Sequence, residues 1–164
     1  MANLCLGALE RLREFLLASD GINAALAQIS ARDGVHLPAL SDQTILAQNV
    51  ASDLADENLA VIYPAVHVYC DRMDNQQLEK FRKFSGRLLL AAEVRVSREQ
   101  IAGLDQELAR YMEAAADVLG AHHGQWTENV AYGGGYEVQF RETRLGGRNF
   151  IATAKIEIEL QAHE

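Results

Sequence analysis

Four groupings in this 164-residue sequence carry residue types that do chemistry in proteins. His122-His123 invites a metal reading. Zinc, however, needs three or four converging N, S or O ligands, and no spaced Cys or second His pair accompanies the two. His36, His67 and His163 are scattered, so a solvated loop after a helix is the better account. Cys70 has His67 three residues before it, the composition of a thiolate–imidazole pair. Three steps along a strand place those side chains on opposite faces, which favours a buried thiol. Tyr132-Gly133-Gly134-Gly135-Tyr136 has the glycine content of a phosphate-cradling loop. A P-loop continues into Lys-Ser/Thr and opens a helix, whereas here the chain runs on into strand-like alternation, so a flexible start to a strand is expected, with or without a bulge. Asp71-Arg72-Met73-Asp74-Asn75 lacks the glycine and the closing Glu of a calcium loop and reads as a polar turn. No catalytic, cofactor-binding or metal-binding set is assigned, and the chain is read as a non-enzyme.

A fifth grouping is basic. Arg141 and Lys155 face away from the apolar side of their strands, and Arg144 and Arg148 flank Gly146-Gly147. A nucleic-acid surface would interleave aromatics, and Glu137, Glu142, Glu157 and Glu159 dilute the charge. A solvated sheet face and a protein–protein contact are the leading readings, with nucleic acid as the third. The hairpin residues Arg141, Arg144, Gly146, Gly147 and Arg148 are the candidate contact surface. Lys83 and Arg87 from the basic segment join them, with Trp126 and Tyr132 from the stretch His122–Gly135.

The elements that must position these residues follow from apolar spacing. Leu6, Leu9, Leu12 and Leu16, with Phe15 beside them, make one stripe of a helix over residues 3–17. Asp20 is placed to cap a second helix whose Ile22, Leu26 and Ile29 share a side and which Gly34 stops. Residues 35–58 read as an irregular connector with one short strand around Ile45. Ser97 and Gln100 form a capping box for a long helix from about Arg98 to Leu119, striped by Ile101, Leu104, Leu108, Tyr111, Met112, Ala115 and Leu119. Gly120 is expected as its left-handed terminus. Period-two alternation marks strands in Val61–Cys70, Arg87–Val96, Tyr136–Arg141 and Phe150–Leu160, with Gly146-Gly147 as a tight turn. The expectation is an α+β fold: an antiparallel or mixed sheet of about four strands, one face wet, packed on one long helix plus N-terminal helices. It forms a single domain over 1–164.

Composition narrows the class. Fifteen Lys+Arg against 23 Asp+Glu give a net charge of −8, so the chain as a whole is not drawn to phosphate backbones. No apolar run reaches transmembrane length, and charges at Glu10, Arg11, Arg13 and Glu14 interrupt what would otherwise resemble a signal peptide. Two cysteines make no framework and suit a reducing cytoplasm. The charge is polarised: residues 80–98 hold six bases and one acid, and residues 99–128 hold six acids and one base. Such a pattern suits contacts between unlike surfaces on copies of one chain.

Several phrases resemble the tail-terminator and tail-completion (neck) proteins of tailed bacteriophages. They are Tyr63-Pro64-Ala65-Val66-His67-Val68-Tyr69, Phe84-Ser85-Gly86-Arg87 leading into Glu93-Val94-Arg95-Val96-Ser97, Tyr132 to Val138, and Gly146-Gly147-Arg148-Asn149-Phe150. The resemblance spans roughly residues 3–160. It implies a mixed α/β fold and a structural virion protein, in the host cytoplasm during assembly, without catalysis or cofactor. It further implies a homo-oligomeric ring, typically a hexamer, that terminates the tail tube and joins tail to head. Its partners would be other copies of itself, tail-tube and head-connector proteins, and the tail sheath as a further candidate. DNA would pass through the pore without specific binding, and no membrane is involved. Two alternatives stand beside this reading: another neck or baseplate component of the same fold, and a small cytoplasmic enzyme or ligand-binding domain with a polar site around His67, Tyr69 and Arg95.

Overall fold

A computed structural model describes residues 2–50 and 61–164. The order is α1 (Ala2–Leu17), α2 (Ile22–Asp33), β1 (Ile45–Leu46), β2 (Ala65–Asn75), β3 (Ser85–Arg98), α3 (Leu104–Ala121), β4 (Gly124–Thr127), β5 (Val130–Phe140), β6 (Arg144–Gly146) and β7 (Asn149–His163). The class is α+β, as expected. The sheet is larger than expected: seven strands in the order β1-β2-β3-β7-β5-β4, with β6 also on β7. It is mixed, because β1 runs parallel to β2 while every other pair is antiparallel.

The buried stripe of α1 is Leu4, Ala8, Leu12 and Leu16, and Leu6 points outward. The spacing of four selects this face, so the leucine at position 6 lies off the core. α2 buries Ile22, Leu26 and Ile29 as read, and Gly34 ends it with φ 66°. Its N-cap is Gly21 rather than Asp20, and no side chain caps it. Glycine is required there by close approach, since a Cβ would sit 2.5 Å from the Phe15 carbonyl oxygen.

The long helix begins six residues later than its sequence signals suggest. Ser97 and Arg98 belong to β3, whose register with β7 is unbroken from Ser85↔His163 to Arg98↔Phe150. The local capping signal is worth about 1 kcal/mol, and the ladder continues through Ser97↔Ile151 and Arg98↔Phe150 instead. Gly103, at φ 79°, turns the chain into α3 instead, and Ile101 is left exposed. Arg98, itself about half exposed, then reaches the buried Glu107 of α3 at 2.5 Å. The stripe from Leu104 to Leu119 is buried against β3 and β7. Gly120 lies inside the helix, and His122 takes the C-cap with φ −118°.

Side chains from all three helices pin the connector. Arg13 donates to the carbonyls of Ile45 (2.9 Å) and Asp42 (3.0 Å). Asn23 exchanges two hydrogen bonds with the Leu40 backbone, at 2.7 and 2.8 Å. Tyr111 donates to the Pro38 carbonyl at 2.5 Å, and burial raises its hydroxyl pKa. The short strand around Ile45 is present as β1. The remaining stretch, residues 51–60, lies outside the described residues.

Candidate functional site

Alternation predicts that the sheet face away from the helices is wet. Half of it is not. The strand register lines up a polar row across four strands: His67 on β2, Glu93 on β3, Lys155 on β7 and Gln139 on β5. Arg95 stands two residues from Glu93 on the same side. Glu93 is 4% exposed and Arg95 2% exposed, and they form an ion pair at 2.6 Å. The chain leaving β1 turns onto this face, where Arg95 Nη2 donates to the Val50 carbonyl at 2.5 Å. Arg141 Nη2 approaches the second Glu93 oxygen at 3.8 Å, and Lys155 pairs with Glu157 at 2.8 Å. Burial, with the nearby Arg95 guanidinium second, lowers the pKa of His67. Among the described residues its two ring nitrogens have no hydrogen-bond partner of good geometry, although the Gln48 backbone acts weakly on it.

This cluster has the residue types of an acid–base site but not the access. His67, Tyr69 and Arg95, around which a ligand-binding reading would build its pocket, are all buried. Among the described residues no group of three or more His, Cys, Asp or Glu is placed to hold a metal ion. The same face opens toward the other end of β3. There Arg87 and Glu159 pair at 3.1 Å with both side chains nearly half exposed.

The basic hairpin residues divide by location. Arg141, Arg144, Gly146, Gly147 and Arg148 come together where β5 passes through β6 into β7, and Gly147 takes φ 65° in the turn. Gly146 and Gly147 border a cleft of about 270 Å³ shared with Tyr63 and Ser97. Lys83 and Arg87 lie elsewhere, since Arg87 faces Gln161 near the far end of β7 and Lys83 N–H bonds the Glu164 carbonyl. Twelve strand residues separate Asn149 from Gln161, roughly 40 Å.

Trp126 and Tyr132 are core residues. Trp126 meets Phe15 and Tyr132 edge-on at 5.2 and 5.4 Å, and its indole donates to the His122 carbonyl at 2.7 Å. The stretch His122–Gly135 is therefore chiefly the β4–β5 hairpin, held down by these two aromatics, which are buried and so are not themselves contact surface. His122 and His123 bond carbonyls of the last turn of α3, at Val118 (2.8 Å) and Gly120 (3.0 Å). The triple glycine makes the bulge: Tyr132 faces Leu160 and Tyr136 faces Ile158, with Gly134 at φ 93°. Cys70 packs against the core on the side opposite His67, and burial, with Cys5 beside it, pushes its thiol up to about 12.

Sequence reasoning missed a surface that follows from the bulge. β4 pairs β5 only as far as Tyr132, so the stretch from Tyr136 to Phe140 has β7 on one side and no described strand on the other. Along and beyond this edge Tyr136, Phe140 and Leu145 are exposed. The signal was present, as period-two apolar residues beside a charged turn, but nothing in it tells a buried row from an open one. No described helix is long and apolar enough to cross a membrane. No family model matches the chain, and no curated protein matches it.

Proposed function

We propose that this chain is a non-catalytic structural protein of a tailed-phage virion. In this reading its copies close into a ring, typically a hexamer, that ends the tail tube and joins it to the head. The observation that carries the reading is the open edge of β5. A strand edge lined by Tyr136, Phe140 and Leu145 and flanked by Arg141, Arg144 and Arg148 is a surface that folded chains cover with a partner. The strand phrases described above supply the assembly. A chain whose basic and acidic segments lie on different elements supplies unlike surfaces for the head-to-tail contacts of a ring. The partners are further copies, tail-tube and head-connector proteins, and the sheath where one is present. The virion neck is the location, reached from the host cytoplasm.

Electron microscopy of phage particles lacking this protein tests the reading. Tails of abnormal length, or tails that fail to join heads, are expected. Normal, head-joined tails would overturn it, and labelled protein found at the baseplate would move it to another position in the particle.

A further inference from the structure

Two further surfaces on the chain are complementary. The first is a cleft of about 670 Å³ between α1 and β1, floored by Leu9, Leu17, Ile45 and Leu46. Leu6, the leucine that the core leaves out, is 57% exposed at its side. Its rim is acidic. Glu10 makes no ion pair among the described residues, and Glu14 is held by Arg11 at 2.7 Å. Arg13 also lines the cleft, but its guanidinium is already bonded to the Ile45 and Asp42 carbonyls.

The second surface is the turn between β2 and β3. Its base is fixed: Asn75 accepts from the Gln77 and Ser85 N–H groups and donates to the Lys83 carbonyl. Gly86 lies so close to the Asp74 carbonyl that a Cβ would collide with it. On that fixed base the tip presents Leu78, largely exposed, and Phe81, wholly exposed and held at φ 70°. A bulky side chain at positive φ in full solvent is a costly arrangement, and among the described residues nothing packs on Phe81 to offset it. The flanking charges are basic, since Arg82 pairs with Glu79 and leaves Lys80 and Lys83.

We propose that the Leu78–Phe81 tip of one copy seats in the α1/β1 cleft of the next. Phe81 and Leu78 lie on Leu6, Leu9 and Leu46, and Lys80 and Lys83 face Glu10 and Glu14. Apolar tip meets apolar floor, and basic flank meets acidic rim. A chain cannot fill its own cleft this way. β1 lies beside Val66 and His67, and the turn begins after Asn75, roughly 26 Å further along β2. The contact joins unlike surfaces, so it propagates head to tail and closes where the rotation permits. The inference deepens the ring reading and rests on it.

The test is self-association of the full chain by sedimentation across a concentration series. Phe81→Asp removes the tip, and Leu6→Lys with Glu10→Lys spoils the cleft. All three positions project from the surface, and thermal melts by circular dichroism verify that each variant is folded. Each variant is expected to weaken association at least about tenfold. Mixed in equal amounts, the two retain one good tip and one good cleft between them, and a 1:1 dimer that grows no further is expected. If the wild-type chain assembles and either variant assembles equally well, the tip-in-cleft contact is overturned while the ring reading stands. A wild-type chain that stays monomeric overturns both. A photo-crosslinking side chain at position 81 gives an independent readout: attachment to residues 6–18 or 45–47 of another copy is expected, and attachment elsewhere overturns the contact.

Discussion

The two halves of the sheet's outer face carry the same kind of sequence and meet opposite fates. On β3 the outer-facing row runs Arg87, Leu89, Ala91, Glu93 and Arg95, with an arginine that pairs with a glutamate in each half. Near one end, Arg95 and Glu93 form a pair whose side chains are 3% and 6% exposed. Near the other, Arg87 bonds Glu159 on β7 with 46% and 43% exposure. The chemistry is the same, and the environment decides what each pair does. In water an arginine–carboxylate pair gains little, because solvent screens it and two long side chains must be held still. Under cover neither charge can be rehydrated, so each makes the other indispensable. The covered half is thus a fixed part of the fold, and the open half is solvated surface.

Breaking the buried pair separates the halves most sharply. Glu93→Ala leaves the Arg95 guanidinium buried without its carboxylate, and a loss of about 3–5 kcal/mol is expected in chemical denaturation. Replacing both partners, Glu93→Leu with Arg95→Met, is expected to recover most of that loss, because no charge is then stranded. A double replacement as damaging as the single one would show that the pair is needed for more than its own neutralisation.

Protonation of His67 probes the same region without mutation. Burial holds its folded pKa below the ordinary value of 6.5, so the unfolded chain binds a proton first as pH falls. The stability His67 contributes is complete above about pH 6.5 and is lost as pH falls below that value toward its folded pKa. Thermal melts from pH 7.5 downward are expected to show this loss, and His67→Gln to lessen it. An exposed network on the helices behaves differently. Arg32 and Arg110 hold the Asp33 carboxyl down to about 2. Its contribution persists through the pH range where His67 has already acted and is lost only as pH falls from about 4 toward about 2. Asp33→Asn is expected to flatten only that acid limb. The smallest effect is on the open half. Arg87→Ala is expected to cost no more than about 1 kcal/mol, checked in the same denaturation series.

How much of this was legible from the residues depends on whether the deciding partner was near in sequence. Leu104, Leu108, Tyr111 and Leu119 announce a buried helix face through spacing alone, and Leu88 to Val96 announce a strand. The start of α3 was not legible, because Ser97 and Gln100 satisfy a local capping rule that β7, fifty residues on, overrides. Nor was the cover over Glu93 and Arg95, which depends on the Val50 carbonyl reaching across from the connector. Trp126 and Tyr132 read as loop aromatics until Phe15, from the other end of the chain, is seen packed on the indole. The basic hairpin was found by its turn residues. Its apolar edge was not, since Tyr136 and Phe140 alternate as regularly as the buried Ile158 and Ala154 opposite them.

In the proposed assembly, copies of this chain join through their open surfaces into a closed ring. Native mass spectrometry of the purified full chain tests it most directly. One dominant species of closed stoichiometry is predicted, expected at six copies of the 18.1 kDa chain and persisting on dilution. A monomer at every concentration, or an open ladder of sizes with no preferred number, would contradict it.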